Sequence, residues 1–120
     1  MRKRIWAGIM VLLAVATAPA CAEAHAILLE STPAVNATIA GPGIAFALRY
    51  NSRVDHARSR LTLTLPDRST EVLPIAPTSP EDGLTTSADL KPGSYSLRWQ
   101  VLAVDGHITR GDVPFTVAGN

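Results

Sequence analysis

The stretch SYSLRWQVLAV, residues 94–104, has the clearest alternation of apolar and polar side chains in the chain. Successive side chains of an extended strand point to opposite faces, so every second residue shares a face. This pattern predicts a β-strand with one buried face, and Trp99 is its largest side chain and the expected centre of the core. The apolar members of that face are Tyr95, Leu97, Trp99 and Val101.

Shorter runs with a similar pattern lie on both sides of this strand, separated by frequent proline and glycine. No convincing amphipathic helix interrupts them. About seven short strands in roughly 100 residues predict an all-β domain, an immunoglobulin-like antiparallel β-sandwich. The other predicted strands cover residues 26–31, 43–50, 60–65, 70–74, 84–90 and 112–117.

The N-terminal stretch MRKRIWAGIMVLLAVATAPACAEA has the three parts of a secretory signal peptide. A basic start is followed by an apolar run and then by small residues. Its apolar run is short for a membrane span, which needs about 20 residues. We expect cleavage after Ala24, so that residues 1–24 are removed and residues 25–120 form the domain. Cleavage before Cys21, or lipidation of that cysteine, is the alternative.

The charge of the chain depends on that processing. Three of the 11 basic residues and one of the ten acidic residues lie in 1–24, so residues 25–120 carry a formal charge of −1. Without a clustered basic face, we expect no binding to nucleic acid. Cys21 is the single cysteine, so the processed domain has no disulfide and must be stabilised by its core. We expect it to be a monomer.

A candidate metal site combines the new N-terminus with the segment AVDGHITRG, residues 103–111. As a first residue, His25 would offer its α-amine and its imidazole to one ion. Asp105 and His107 add an oxygen and a nitrogen, and residues two apart on an extended segment point to the same side. Three nitrogens and one oxygen favour Cu(II), whereas zinc prefers a tetrahedral set. An Asp-x-His by itself is more often a polar turn. His56, in a charged loop, is predicted to be a surface residue, with approach to the metal as the alternative.

Three stretches, in order, resemble the CopC family of periplasmic copper-binding proteins. They are HA at 25–26 with LLESTPA at 28–34, LKPGSY at 90–95 with Trp99, and DGH at 105–107 with Gly111 and FTV at 115–117. The resemblance implies an immunoglobulin-like sandwich and one Cu(II) ion bound by His25, Asp105 and His107. Both methionines lie in 1–24, so the Met-rich Cu(I) site of some members is expected to be missing. Asn51-Ser52-Arg53 replaces a common Ser-Glu-Pro, so a carboxylate near the metal in some members is also absent.

We therefore predict a non-enzymatic periplasmic Cu(II)-binding protein for copper resistance or homeostasis. The resemblance further implies transfer of copper to an inner-membrane importer of the CopD type. One alternative is a metal-free immunoglobulin-like interaction module or lipoprotein, since the fold alone does not fix function. Another is a copper oxidase resembling polysaccharide monooxygenases, but an aspartate in the copper plane would block a position that oxygen chemistry needs.

Overall fold

The computed structural model describes residues 25–119, and the predicted signal segment 1–24 lies outside the described residues. Within this range no helix is long and apolar enough to cross a membrane. A single turn of 3-10 helix covers His56–Arg58. The remaining regular structure consists of strands β1 (Leu28–Thr32), β2 (Ala37–Ala40), β3 (Gly43–Tyr50), β4 (Arg60–Thr64), β5 (Thr70–Leu73), β6 (Gly83–Asp89), β7 (Gly93–Leu102) and β8 (Ile108–Ala118).

The strands form two sheets that pack face to face, which confirms the predicted β-sandwich. One sheet has the order β1-β3-β6, and the other has the order β2-β8-β7-β4-β5. The β7–β8 ladder is the longest pairing and runs from Gly93↔Val117 to Leu102↔Ile108. The turn that joins these two strands therefore lies at one end of the sandwich, beyond the Leu102–Ile108 pair.

Alternation along β3 and β7 builds the core, as the sequence predicts. In β3 every second residue is buried, and the same holds for the inner face of β7. Trp99 is 7% exposed and meets Tyr50 edge-to-face, with ring centroids 5.3 Å apart. Aromatic pairs in this arrangement contribute beyond the area they bury. The Tyr50–Trp99 contact thus joins the two sheets across the core.

The last strand begins earlier than the sequence predicts, at Ile108 instead of residue 112. Its first inward positions are Thr109 and Gly111, which are half-buried and carry no apolar side chain longer than a methyl group. Alternation of apolar residues is therefore invisible in this half of the strand. The indole of Trp99 takes the space over Gly111, where a Cβ would lie 2.6 Å from Cζ2 of the ring.

The sequence also missed β2, so the predicted antiparallel sandwich of about seven strands has eight strands in the described residues, and one pair, β2 with β8, is parallel. This strand has four residues and pairs in parallel with β8, from Ala37↔Phe115 to Ala40↔Ala118. Ile39 is its single large apolar side chain, and Gly41-Pro42-Gly43 follows directly. So short an edge strand has too few residues to show a period of two.

The packing of Trp99 against Gly111 predicts that Gly111→Ala destabilises the fold. A methyl group has no room there, and overpacking a core typically costs about 1–3 kcal/mol. Gly43→Ala is a matched control on β3, because a Cβ there would meet its nearest neighbour, Oδ1 of Asp89, at 3.7 Å. Thermal unfolding followed by near-UV circular dichroism should show a clearly lower melting temperature for Gly111→Ala and an unchanged one for Gly43→Ala. Equal melting temperatures for the two variants would contradict the packing argument.

Candidate metal centre

The turn between β7 and β8 is a compact, hydrogen-bonded loop that includes Asp105 and His107. The amide of Gly106 donates to the carbonyl of Ala103 at 2.9 Å, and the amide of Ala103 donates to the carbonyl of His107 at 2.9 Å. Gly106 has φ of +90°, a region that side chains other than glycine rarely adopt. Glycine between the two candidate ligands is thus required by the backbone of the turn.

Asp105 is held against His107 by two contacts. Its Oδ1 accepts a hydrogen bond from the backbone amide of His107 at 3.0 Å, and its Oδ2 lies 2.7 Å from Nδ1 of the His107 ring. The backbone hydrogen bond, and then the ring, hold the pKa of the Asp105 carboxyl below its usual range. Because an ionised carboxylate can only accept, Nδ1 carries the proton and Nε2 of a neutral ring keeps a lone pair.

His25 lies beside this pair although it is distant in sequence. The centroid of its ring is 4.3 Å from the centroid of the His107 ring, with the planes tilted by 37°. The side chain of His107 is 60% exposed, whereas His25 is half-buried. Ala26, the next residue along the chain, is 2% exposed and belongs to the core. The structure therefore brings all three residues that the sequence singled out to one end of the sandwich.

The donor atoms of these residues do not yet converge on one point. Within residues 25–119 no group of three or more His, Cys, Asp or Glu side chains is arranged to hold a metal ion. Oδ2 of Asp105 faces the His107 ring, and His25 follows Ala24 in the unprocessed chain, so its α-amine does not exist before cleavage. The three side chains are adjacent, and a metal would need their rotation as well as the new amine.

His56 is not part of this group. It begins the 3-10 turn after β3, and its Nε2 lies 2.8 Å from the carbonyl of Pro80 and 2.9 Å from that of Gly83. Two acceptors on one ring nitrogen mean that Nε2–H donates a forked hydrogen bond to the segment that leads into β6. The ring is half-buried instead of lying on the surface as predicted, and the contacts assign it a structural role.

The sequence did not predict a role at the candidate site for Asn51 or Thr109. Asn51 contacts the backbone of Ile27, and Thr109 contacts the backbone of Ala26. An asparagine after a strand is common in turns, and a threonine within a strand is equally ordinary. No local pattern could have marked either residue, because each partner is far away in the chain.

A small β-sandwich with an exposed Asp-x-His turn next to a second histidine defines the class of the described residues: a β-sandwich domain with a candidate metal centre at one end. The chain belongs to the CopC family, whose domain matches residues 28–118. It is 34% identical to Protein YobA of Escherichia coli K12 over 98 residues, 78% of this chain and 79% of that protein. It is 29% identical to copper resistance protein C of Xanthomonas campestris pv. juglandis over 117 residues, 90% of this chain and 91% of the relative.

Solved structures give the same family. The crystal structure of CopC from Methylosinus trichosporium OB3b aligns with a TM-score of 0.70 and 28% identity, covering 80% of this chain and 96% of that one. PcoC of Escherichia coli, described as a methionine-rich copper resistance protein, aligns with a TM-score of 0.65 and 25% identity. The alignment covers 78% of this chain and 99% of PcoC. The described domain therefore corresponds to nearly the whole length of each of these structures.

Proposed function

We propose that this chain is exported to the periplasm, cleaved before His25, and binds one Cu(II) ion there for copper resistance or homeostasis. The observation that carries the proposal is the contact between the His25 and His107 rings, with Asp105 bound to the second ring. The relatives named for copper resistance support the choice of metal.

The chemistry of the donor set fits Cu(II). The α-amine and imidazole of His25, together with Nε2 of His107, would supply three nitrogens, and the ionised carboxylate of Asp105 an oxygen. Tetragonal nitrogen and oxygen ligation is typical of Cu(II), which also binds most tightly among the divalent ions of its series. The Asp105 carboxylate needs no proton displaced at neutral pH, and its contacts with His107 hold its pKa below the usual range.

The composition of the domain argues against a second, Cu(I) site. Thioether and thiolate groups are the ligands that Cu(I) prefers. Met1, Met10 and Cys21 are the only sulfur-containing residues of the chain, and all three precede residue 25. The proposal is therefore limited to Cu(II), in contrast to the methionine-rich composition stated for PcoC.

The proposed role is carriage of copper, without catalysis. An aspartate among the donors would fill a position that oxygen chemistry must leave open. The exposed His107 side chain lies at the end of the sandwich, where an inner-membrane importer of the CopD type could approach the ion. We infer that a monomer delivers or stores copper from this end.

Mass spectrometry of the exported protein, followed by Cu(II) titration of the same material, tests the proposal. We expect a first residue of His25, one Cu(II) per chain, and an electron paramagnetic resonance spectrum of a tetragonal ion coupled to nitrogen. A chain that starts at Cys21, or binding no tighter than micromolar, would contradict it. Oxygen consumption with a reductant and a polysaccharide is expected to remain at the level of free copper.

A further inference from the structure

Ala26 and Ile27, the two residues between His25 and β1, are held by hydrogen bonds to both sheets. We propose that Asn51 and Thr109 are positioning residues, which fix His25 beside His107 before any metal binds. Neither side chain is a candidate ligand. The effect on copper affinity rests on the proposed function. The ordering of the backbone at residues 26–27 by Asn51 and Thr109 can be tested on the metal-free chain.

Asn51 extends the pairing of β1 with β3 beyond the end of both strands. The last regular pair at this end is Leu28↔Tyr50. One residue further on, the backbone amide of Ile27 donates to Oδ1 of Asn51 at 2.8 Å, and the backbone amide of Asn51 donates to the carbonyl of Ile27 at 3.0 Å. The Asn51 side chain thus supplies the acceptor that holds the amide of Ile27.

Thr109 holds the preceding peptide from the opposite sheet. Its hydroxyl donates to the carbonyl of Ala26 at 2.9 Å, across a separation of 83 residues. Thr109 belongs to β8 and follows His107 by two residues, so the same strand start carries the imidazole and the hydrogen bond. With Ala26 buried at 2% exposure, the backbone next to His25 is held by the five-stranded sheet as well as by the three-stranded one.

These contacts have a consequence for a ligand at a chain end. The first residues of a domain are usually poorly ordered unless they are held by specific contacts. A ligand that is ordered beforehand loses less conformational freedom when the ion binds, which raises affinity. Groups that orient metal ligands typically change metal affinity by about 10–100-fold when they are removed. We expect Asn51 and Thr109 to fall in this range.

Two variants remove one hydrogen bond each. Asn51→Ala removes the acceptor for Ile27, and Thr109→Val replaces the hydroxyl with a methyl group of similar size. In chains that start at His25, each should raise the dissociation constant for Cu(II) by about 10–100-fold. Thr116→Val is the matched control, since Thr116 is also half-buried on β8 but pairs with Ser94 at the other end of the strand.

Two further measurements separate positioning from a general effect on the fold. Combined with His25→Ala, the Asn51→Ala change should alter Cu(II) affinity far less than in the parent chain, because the imidazole that it positions is gone. In the metal-free chain, 15N relaxation should show faster motion of the Ala26 and Ile27 amides in Asn51→Ala. Asn51→Asp keeps an acceptor oxygen and should keep those amides ordered.

Each outcome bears on one of the two claims. Unchanged relaxation of the 26–27 amides in Asn51→Ala and Thr109→Val overturns the positioning role, whether or not copper binds. Cu(II) affinities of the two variants within twofold of the parent chain also overturn the positioning role. A loss of Cu(II) affinity on Asn51→Ala that is equally large in the His25→Ala background overturns it as well. If the parent chain binds no copper but the amides loosen as expected, the proposed function fails and the structural role of the two residues is upheld.

Discussion

His25→Ala, in a chain that starts at residue 25, is expected to weaken Cu(II) binding by more than about 100-fold, beyond the range typical of groups that only orient ligands. The substitution removes the imidazole, whose ring centroid lies 4.3 Å from that of His107. It also leaves the α-amine without its chelate partner. Competition titration against a chelator of known affinity measures the change, since direct titration underestimates tight binding.

A second variant tests the amine separately from the ring. A chain that starts at residue 21, with Cys21→Ser to exclude thiolate binding, keeps the His25 imidazole but places the free amine four residues earlier. We expect a loss comparable to that of His25→Ala, together with a changed paramagnetic resonance spectrum. His56→Gln is the histidine control: it keeps a donor for the 80–83 segment and should bind copper like the parent chain. Full affinity in the extended chain would falsify the amine ligand.

The strands that the sequence predicted well are those whose environment is uniform along their length. In β3 and β7 every inward position is apolar and every outward position is solvent-exposed or partly so, and the period of two is therefore complete. The first half of β8 lacks this pattern because its inward position 111 is a glycine, and the indole of Trp99 occupies the space where a side chain would lie. β2 lacks it because the strand is four residues long and depends on β8 for its pairing.

The sequence likewise predicts one part of the candidate site, the ligand residues, but not the contacts that bring them together. His25, Asp105 and His107 could be named from sequence because their residue types carry the chemistry, and a glycine at φ of +90° explains why the turn keeps two of them adjacent. The approach of His25 to that turn depends on tertiary structure. It follows from the core position of Ala26 and from hydrogen bonds to Asn51 and Thr109, which link residues far apart in the chain.

Copper is expected to raise the melting temperature of the processed domain strongly. A ligand that binds only the folded state at a free concentration 1,000 times its dissociation constant stabilises that state by about 4.1 kcal/mol. For a domain of this size each kcal/mol corresponds to roughly 4–8 °C, so a rise on the order of 15–30 °C follows. Residues 25–120 contain no cysteine for a disulfide, and a metal joining residue 25 to the β7–β8 turn would be the sole cross-link.

The pH dependence of that rise tests the part played by Asp105. Hydrogen bonds from His107 lower the pKa of Asp105, so its carboxylate stays ionised until the pH falls below its usual range. We therefore expect protonation of Asp105 to contribute nothing to any loss of the copper-dependent rise between pH 7 and pH 5. Calorimetry of the parent chain and of His107→Ala, each with and without copper, measures both effects. A rise of equal size in His107→Ala would mean that copper stabilises the domain from somewhere other than this turn.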